Sequence, residues 1–300
     1  MTEDAGELDA VVAERRQLRG LAYRMLGTVA DAEDAVQETY ARWYRLSDDE
    51  RSAVASPGAW LSRVASRVCL DMLGSARARR ERYVGEWLPE PLPPTSEFAA
   101  SVSDPLDRVT LDESVSMALL VVLESLTPAE RVAFVLHDVF GMPFADIAQT
   151  VGRSVEATRQ LASSARRHVR EDRGGSAPRD RHDELVRAFA AACATGDLAS
   201  LTAVLDPGVV LRSDGGGFVS AARRPVVGSD NVARFLLGLI RKQPEAEIVP
   251  VETSDGLSFV IRTDGAVDSV MLLGARSSGD GERITDVWMV RNPEKLRQWG

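Results

Sequence analysis

The sequence predicts a multidomain protein: two all-α domains, the second with a helix-turn-helix, followed by an α+β cone. Three observations lead there. Apolar residues recur at helical spacing as far as Arg173, and within that stretch residues 125–170 alternate helix, break and helix as a helix-turn-helix does. Two breaker-rich segments interrupt the pattern, one with five prolines between 84 and 107 and one reading GGSAP at 174–178. Beyond 182 the period changes, and short strand-like runs replace most of the helical ones. The boundaries expected are 1–83, a linker at 84–107, 108–173, a flexible linker at 174–181, and 182–300.

The first domain opens with an apolar stripe of Leu18, Leu21, Ala22 and Met25, closed near Gly27. Asp31, Glu33 and Asp34 then crowd a helix start, where the helix dipole favours anions. That second helix is expected to bury Val36, Tyr40 and Trp43, leaving Asp34, Gln37, Glu38 and Arg42 on other faces. A third helix after Pro57–Gly58 carries Trp60, Leu61, Val64, Val68 and Met72. In the linker, WLPEPL at 87–92 is extended by its prolines but too apolar for a free spacer, so Trp87 is expected to dock on a folded domain.

The second domain begins with a helix near 107–123. Val132, Val135, Leu136 and Val139 make its next stripe, broken at Gly141–Met142–Pro143. A short helix at 144–151 buries Ile147, Ala148 and Val151. Gly152 supplies a turn residue able to take positive φ, and Ser154 can cap the helix that follows from 155 to about 169. Arg159, Gln160, Ser163, Arg166 and Arg167 fall on its exposed faces. This is a geometry that enters a DNA major groove; three packed helices with a solvated basic face is the plainer alternative.

In the third domain, helices are expected at 182–195, 198–205 and 231–241. Strands are expected at 209–212, 218–222, 248–252, 257–262, 269–275 and 283–291, with the helices packed on one face of an antiparallel sheet. Asp214 and Asp268 are candidates for the inside of the cone. No histidine follows His182 to complete an acid–base pair, so no enzymatic activity is expected.

Composition narrows the function. Thirty-six Lys and Arg against forty-five Asp and Glu give a net charge of −9, unlike a protein that binds nucleic acid unaided. Positive charge is local: Arg77, Arg79, Arg80 and Arg82, then Arg159, Arg166, Arg167 and Arg170. Two small basic patches on an acidic chain imply weak DNA affinity of its own, which suits a subunit loaded onto a larger machine. No apolar run reaches membrane-spanning length, and the acidic start lacks a signal peptide's features, so a cytoplasmic protein with no membrane partner is expected. Two cysteines and three histidines form no ligand cluster, and neither a metal nor a cofactor is expected.

Residues 18–82, with LRGLAYRMLGTVADAEDAVQETYARWY and PGAWLSRVASRVCLDMLGSARARR, resemble region 2 of extracytoplasmic-function sigma-70 factors. Residues 125–170 resemble region 4 of that family, and 182–300 the SnoaL-like domain fused to its SigJ-like subgroup. The resemblance implies an alternative sigma factor that binds core RNA polymerase and promoter DNA. Asp34, Gln37, Glu38 and Arg42 would contact the β′ clamp. Arg63, Arg67, Arg77, Arg79 and Arg80 would hold the −10 element, and Trp60 is more a core residue than a wedge. Arg159, Gln160 and Ser163 would face the −35 element, with Arg166 and Arg167 on phosphates. Many members carry Asn at the position of Arg67 and Arg at that of Ser164, so −10 preference and one phosphate anchor are not carried over.

The subgroup's DGGG motif stands at Asp214, Gly215, Gly216 and Gly217. It reads either as a turn needing positive φ or as bare backbone open to a docking peptide. NPEKL, with Asn292, Pro293 and Leu296, resembles the subgroup's terminal motif and would otherwise be a disordered tail. With Trp87, Leu88 and Pro89, these residues make a candidate device for control in cis. The alternatives are a one-component regulator whose cone binds a small ligand, and a SnoaL-type isomerase or cyclase fused to a DNA-binding module.

Overall fold

The computed structural model describes residues 2–80, 83–98, 116–173, 175–278 and 281–300, and the side chains of these except 2–13, 76–80, 172–173 and 278. The chain divides into two compact units. One holds 1–81, 95–115 and 119–172; the other holds 82–94, 116–118 and 173–300.

The first unit is helical. Helices α1 (Thr2–Leu26), α2 (Val29–Tyr44), α3 (Asp48–Ser52) and α4 (Pro57–Arg80) precede α5 (Met117–Ser125), α6 (Pro128–Phe134), α7 (Phe144–Val151) and α8 (Val155–Arg173). Leu18, Leu21, Ala22 and Met25 are buried on α1, as their spacing requires, and Tyr23 and Leu26 join them. Thr28 caps α2 by accepting the Asp31 N–H at 3.2 Å. On α2 the seam is Ala32, Ala35, Val36 and Thr39, while Tyr40 and Trp43 are only half-buried. On α4 it is Leu61, Ala65, Val68, Cys69 and Leu73; Trp60, Val64 and Met72 lie at its margin. Small residues let these helices approach closely, so the large ones expected at the centre are displaced to the edge.

The two sigma-like segments pack into this one unit. Arg131 of α6, only 3% exposed, donates to the Met25 carbonyl at the end of α1 at 2.9 Å and to Glu124 at 2.6 Å. Between α6 and α7 the backbone widens into a π-turn at Val135–Val139, where an extra residue sits in the helix. The start of the expected 107–123 helix lies outside the described residues.

The second unit is α+β. Helices α9 (Arg179–Thr195), α10 (Leu198–Val204) and α11 (Ser229–Lys242) accompany strands β1 (Leu205–Asp214), β2 (Val226–Val227), β3 (Glu247–Thr253), β4 (Gly256–Thr263), β5 (Ala266–Ser278) and β6 (Gly281–Val290). The sheet order is β2-β1-β6-β5-β4-β3. It is mixed rather than wholly antiparallel, because β1 runs parallel to β6. Residues 218–222 form a turn and irregular loop instead of the expected strand. Leu211, Leu257, Phe259, Leu273 and Val287 alternate onto the helix-covered face with Val186, Phe189, Val232 and Leu236.

The segment expected as a flexible boundary is paired. The Ser277 N–H donates to the Gly175 carbonyl, and the Ala177 N–H to that of Ala275, extending the sheet edge.

Candidate functional site

Helix α7 ends on Gly152, whose φ of 65° makes the left-handed cap that turns the chain. Ser154 then accepts the Ala157 N–H at 3.2 Å and starts α8. Along α8, Thr158, Ala162 and Ala165 are buried. Arg159, Gln160, Ser163 and Arg167 are exposed, and Arg159 lies over the Phe144 ring at 5.8 Å. Arg166 departs from the expected exposed face. It is half-buried, and its Nε donates to Asp138 at 2.6 Å. Ser164 is half-buried rather than exposed.

On α2, Asp34 and Gln37 are exposed, while Glu38 and Arg42 bridge at 2.8 Å. The Arg42 hydrogen bond holds the Glu38 carboxyl below its ordinary value. The Trp43 and Trp60 rings meet edge-on at 5.1 Å beside this face. Arg63 and Arg67 are exposed on α4, with Arg63 3.8 Å from Asp146. The side chains of Arg77, Arg79 and Arg80 lie outside the described residues.

The third constellation is buried and lies wholly within the second unit. Asp214, fully closed to solvent, accepts from the Tyr83 hydroxyl at 2.6 Å, the Leu88 N–H at 2.9 Å, the Gly216 N–H at 3.0 Å and Lys295 Nζ at 2.7 Å. Lys295 also donates to the Leu88 carbonyl and lies 4.1 Å from the Trp87 ring centroid. Asn292 donates to the Tyr83 oxygen at 2.8 Å, and Trp299 Nε1 to the Pro91 carbonyl at 2.9 Å. Burial, then the Asp214 carboxylate, push the Tyr83 phenol up, which keeps it a donor.

Leu88 through Pro93 are buried in this groove, whereas Trp87 is half-buried. The peptide's anchor is thus Leu88, at 1% exposure, more than the Trp87 expected to dock. The glycines of the motif serve both readings. Gly216 and Gly217 have φ of 64° and 78°. A Cβ on Gly216 would fall 2.5 Å from Asn292, and one on Gly217 would lie 3.3 Å from Val84.

The chain's last residues are not a disordered tail. Pro293–Lys295 and Arg297–Trp299 form two 3₁₀ turns, and Asn292, Lys295, Leu296 and Trp299 are buried. Neither expected cone carboxylate reaches the inside. Asp214 pairs in register with Val290 and so points to the opposite face from Leu211 and Met289. Asp268 is held by Arg291 at 2.9 and 3.0 Å. Sequence reasoning missed Tyr83 and Lys295; the signal was their place beside WLPEPL and inside NPEKL.

Residues 10–79 match the family model of sigma-70 region 2, and 116–169 that of sigma-70 region 4. The extracytoplasmic-function (ECF) RNA polymerase sigma factor SigJ of Mycobacterium tuberculosis H37Rv is 40% identical over 97% of this chain and 93% of its own. The probable ECF RNA polymerase sigma factor SigI of the same strain is 45% identical over 75% of this chain and 74% of its own. The crystal structure of M. tuberculosis SigJ matches with a TM-score of 0.72 at 36% identity, covering 97% of this chain and 98% of that one.

Proposed function

The chain belongs to the extracytoplasmic-function RNA polymerase sigma factors, and from that premise we propose how its parts divide the work of promoter-specific initiation. The exposed face of α2, with Asp34, Gln37 and the Glu38–Arg42 pair, takes the β′ clamp of core RNA polymerase. Arg63 and Arg67, continued by Arg77, Arg79 and Arg80, hold the −10 strand by its phosphates. Arg159, Gln160 and Ser163 face the bases of the −35 element, and Arg167 neutralises phosphate. Arg166 instead sets the pose of α8 through Asp138. Work on polymerase and promoter is work in the cytoplasm, and no helix among the described residues is long and apolar enough to cross a membrane.

The C-terminal domain modulates initiation in cis by holding the linker. The observation that carries this is the capture of Leu88 by Asp214 and Lys295, with the Leu88 N–H and carbonyl both taken. A linker gripped at 83–93 leaves less free chain between regions 2 and 4, so engagement of the −10 and −35 elements becomes coupled to release or retention of the grip. Within one chain the effective concentration is high, and modest contacts suffice.

The isomerase reading has less support: no Asp, Glu or His is among the described residues that line a cavity in this domain, and burial pushes the Cys193 thiol there up to about 12. Run-off transcription with purified core polymerase tests the proposal. Leu88→Asp and a chain ending at Arg291 should both change promoter output while still forming holoenzyme. If both variants match the full chain in both assays, the grip has no regulatory part.

A further inference from the structure

On the face of the sheet opposite Asp214, α9, α11 and strands β3–β6 enclose a cavity of about 630 Å³. That is the size of a pocket which engulfs a drug-sized molecule. It exists because the chain supplies small residues where large ones would close the core: Ala190 and Ala194 on α9 and Ala246 before β3. Phe189, Leu236, Leu257, Phe259 and Ile261 supply much of the remaining apolar lining. Met271 and Met289 face each other across the β5–β6 ladder, and both line the space. Two unbranched, polarisable side chains make a floor that can reshape around a guest.

Polar groups are few in the lining. Arg187 is exposed on α9, Gln243 ends α11, and Ser269 supplies a hydroxyl from β5. Among the described residues that line the cavity, Arg187 is the one charged side chain, and no carboxylate opposes it. Pro244, Ile248 and Pro250 form an exposed apolar rim, with Ile248 47% exposed. A cationic guest would meet Arg187 uncompensated, and a strongly polar one would strip its hydration against hydrocarbon.

We propose that this cavity binds a largely apolar small molecule carrying one acidic group, its rings or chain against Met271 and Met289 and its acid at Arg187. The proposal concerns the cone itself and does not depend on whether the linker grip regulates transcription.

The test uses the full chain and two probes with one ring system, 8-anilinonaphthalene-1-sulfonate and its uncharged counterpart N-phenyl-1-naphthylamine. Each should saturate one site per chain. Ala190→Phe and Met271→Trp fill the space from opposite walls and should each weaken both probes at least tenfold, with circular dichroism and thermal melting verifying the fold. Arg187→Ala should weaken the sulfonate two- to fivefold, the scale of one exposed charge pair, and leave the neutral probe unchanged. In the unsubstituted chain carrying ¹³C-methyl methionine, the Met271 and Met289 signals should move on binding while Met25 and Met117 stay. Absence of saturable binding, or stationary Met271 and Met289 signals, overturns the site. An equal response of both probes to Arg187→Ala, or no response of either, overturns the acidic group.

Discussion

Lys295 Nζ lies 2.7 Å from Asp214 Oδ2, and neither side chain has more than a trace of contact with water. The ammonium bonds in the same place to the Leu88 carbonyl, and the carboxylate to the Leu88 N–H. One buried charge pair therefore closes around a backbone segment more than a hundred residues away in sequence. The Gly216 N–H also serves Asp214, but the Tyr83 hydroxyl, the Leu88 N–H and the Leu88 carbonyl come from residues 83–93, so those three bonds exist only when that segment is in place.

Removing one half of such a pair leaves the other charge buried. Lys295→Ala should cost about 3–5 kcal/mol in the unit that holds it, the scale for breaking a buried pair from one side. Asp214→Asn combined with Lys295→Met should recover most of that loss, because no net charge remains inside. Urea unfolding of the full chain, followed by Trp fluorescence, measures both. Equal loss in the single and double variants would show that the pair's charge is not what holds the linker.

Leu88 and Trp87 separate packing from cation–π contact. Leu88→Ala empties a fully buried site and should destabilise the docked linker by about 2–5 kcal/mol. Trp87→Ala removes a half-buried ring above Lys295 and should cost about 1–2 kcal/mol. Limited proteolysis near residues 83–93 should accordingly accelerate far more for Leu88→Ala. The reverse order would return the anchor to Trp87.

Much of this was legible in the sequence because the signals were local. Gly152 and Ser154 mark the helix-turn-helix by backbone conformation and capping, and nothing distant overrides them. The buried seams of α2 and α4 were harder. Ala32, Ala35 and Ala65 pack centrally because they are small, which an apolar-size argument ranks below Trp43 and Trp60. The parallel β1–β6 pair involves strands about eighty residues apart, a non-local choice invisible to periodicity.

The linker site had a signal that alternation arguments pass over. Val270–Met271–Leu272–Leu273 and Val287–Trp288–Met289–Val290 are apolar at successive positions, so both faces of the sheet demand cover. The helices cover one. Val270, Leu272, Trp288 and Val290 lie buried on the other, the side to which Asp214 points.

The cone should lose stability in acid through Asp183. Burial pushes its carboxyl up, but the Leu257 N–H at 2.8 Å, His182 and the Arg179 charge together bring it below the ordinary carboxylate value. A lowered folded pKa contributes stability that is complete above the unfolded value of about 3.9 and fades as pH falls through the folded one. Asp183→Asn keeps an acceptor for Leu257 and cannot titrate. Its unfolding free energy, compared with the parent between pH 5 and pH 3, should fall less steeply. Parallel slopes would assign the acid limb to other carboxylates.

Arg159, Arg166 and Arg167 of α8 should behave as three different residues. Arg159 is exposed near the start of the helix and steadied over Phe144, so its fork is presented rather than buried. If it reads a guanine, Arg159→Ala should relax preference at one −35 position by about 1–3 kcal/mol and leave the other positions alone. Arg167 is exposed further along, and Arg167→Ala should lower activity about evenly across sequences and reduce the salt slope by roughly one. Arg166 already spends its Nε on Asp138 at 2.6 Å. Arg166→Ala should therefore act like Asp138→Ala, lowering thermal stability of the helical unit, with little change in the salt slope. A randomised −35 library transcribed by holoenzyme at several salt concentrations, beside melting curves of each variant, distinguishes the three. A salt-slope change for Arg166→Ala equal to that for Arg167→Ala would mean that the Asp138 pair opens on DNA and that Arg166 is a phosphate contact after all.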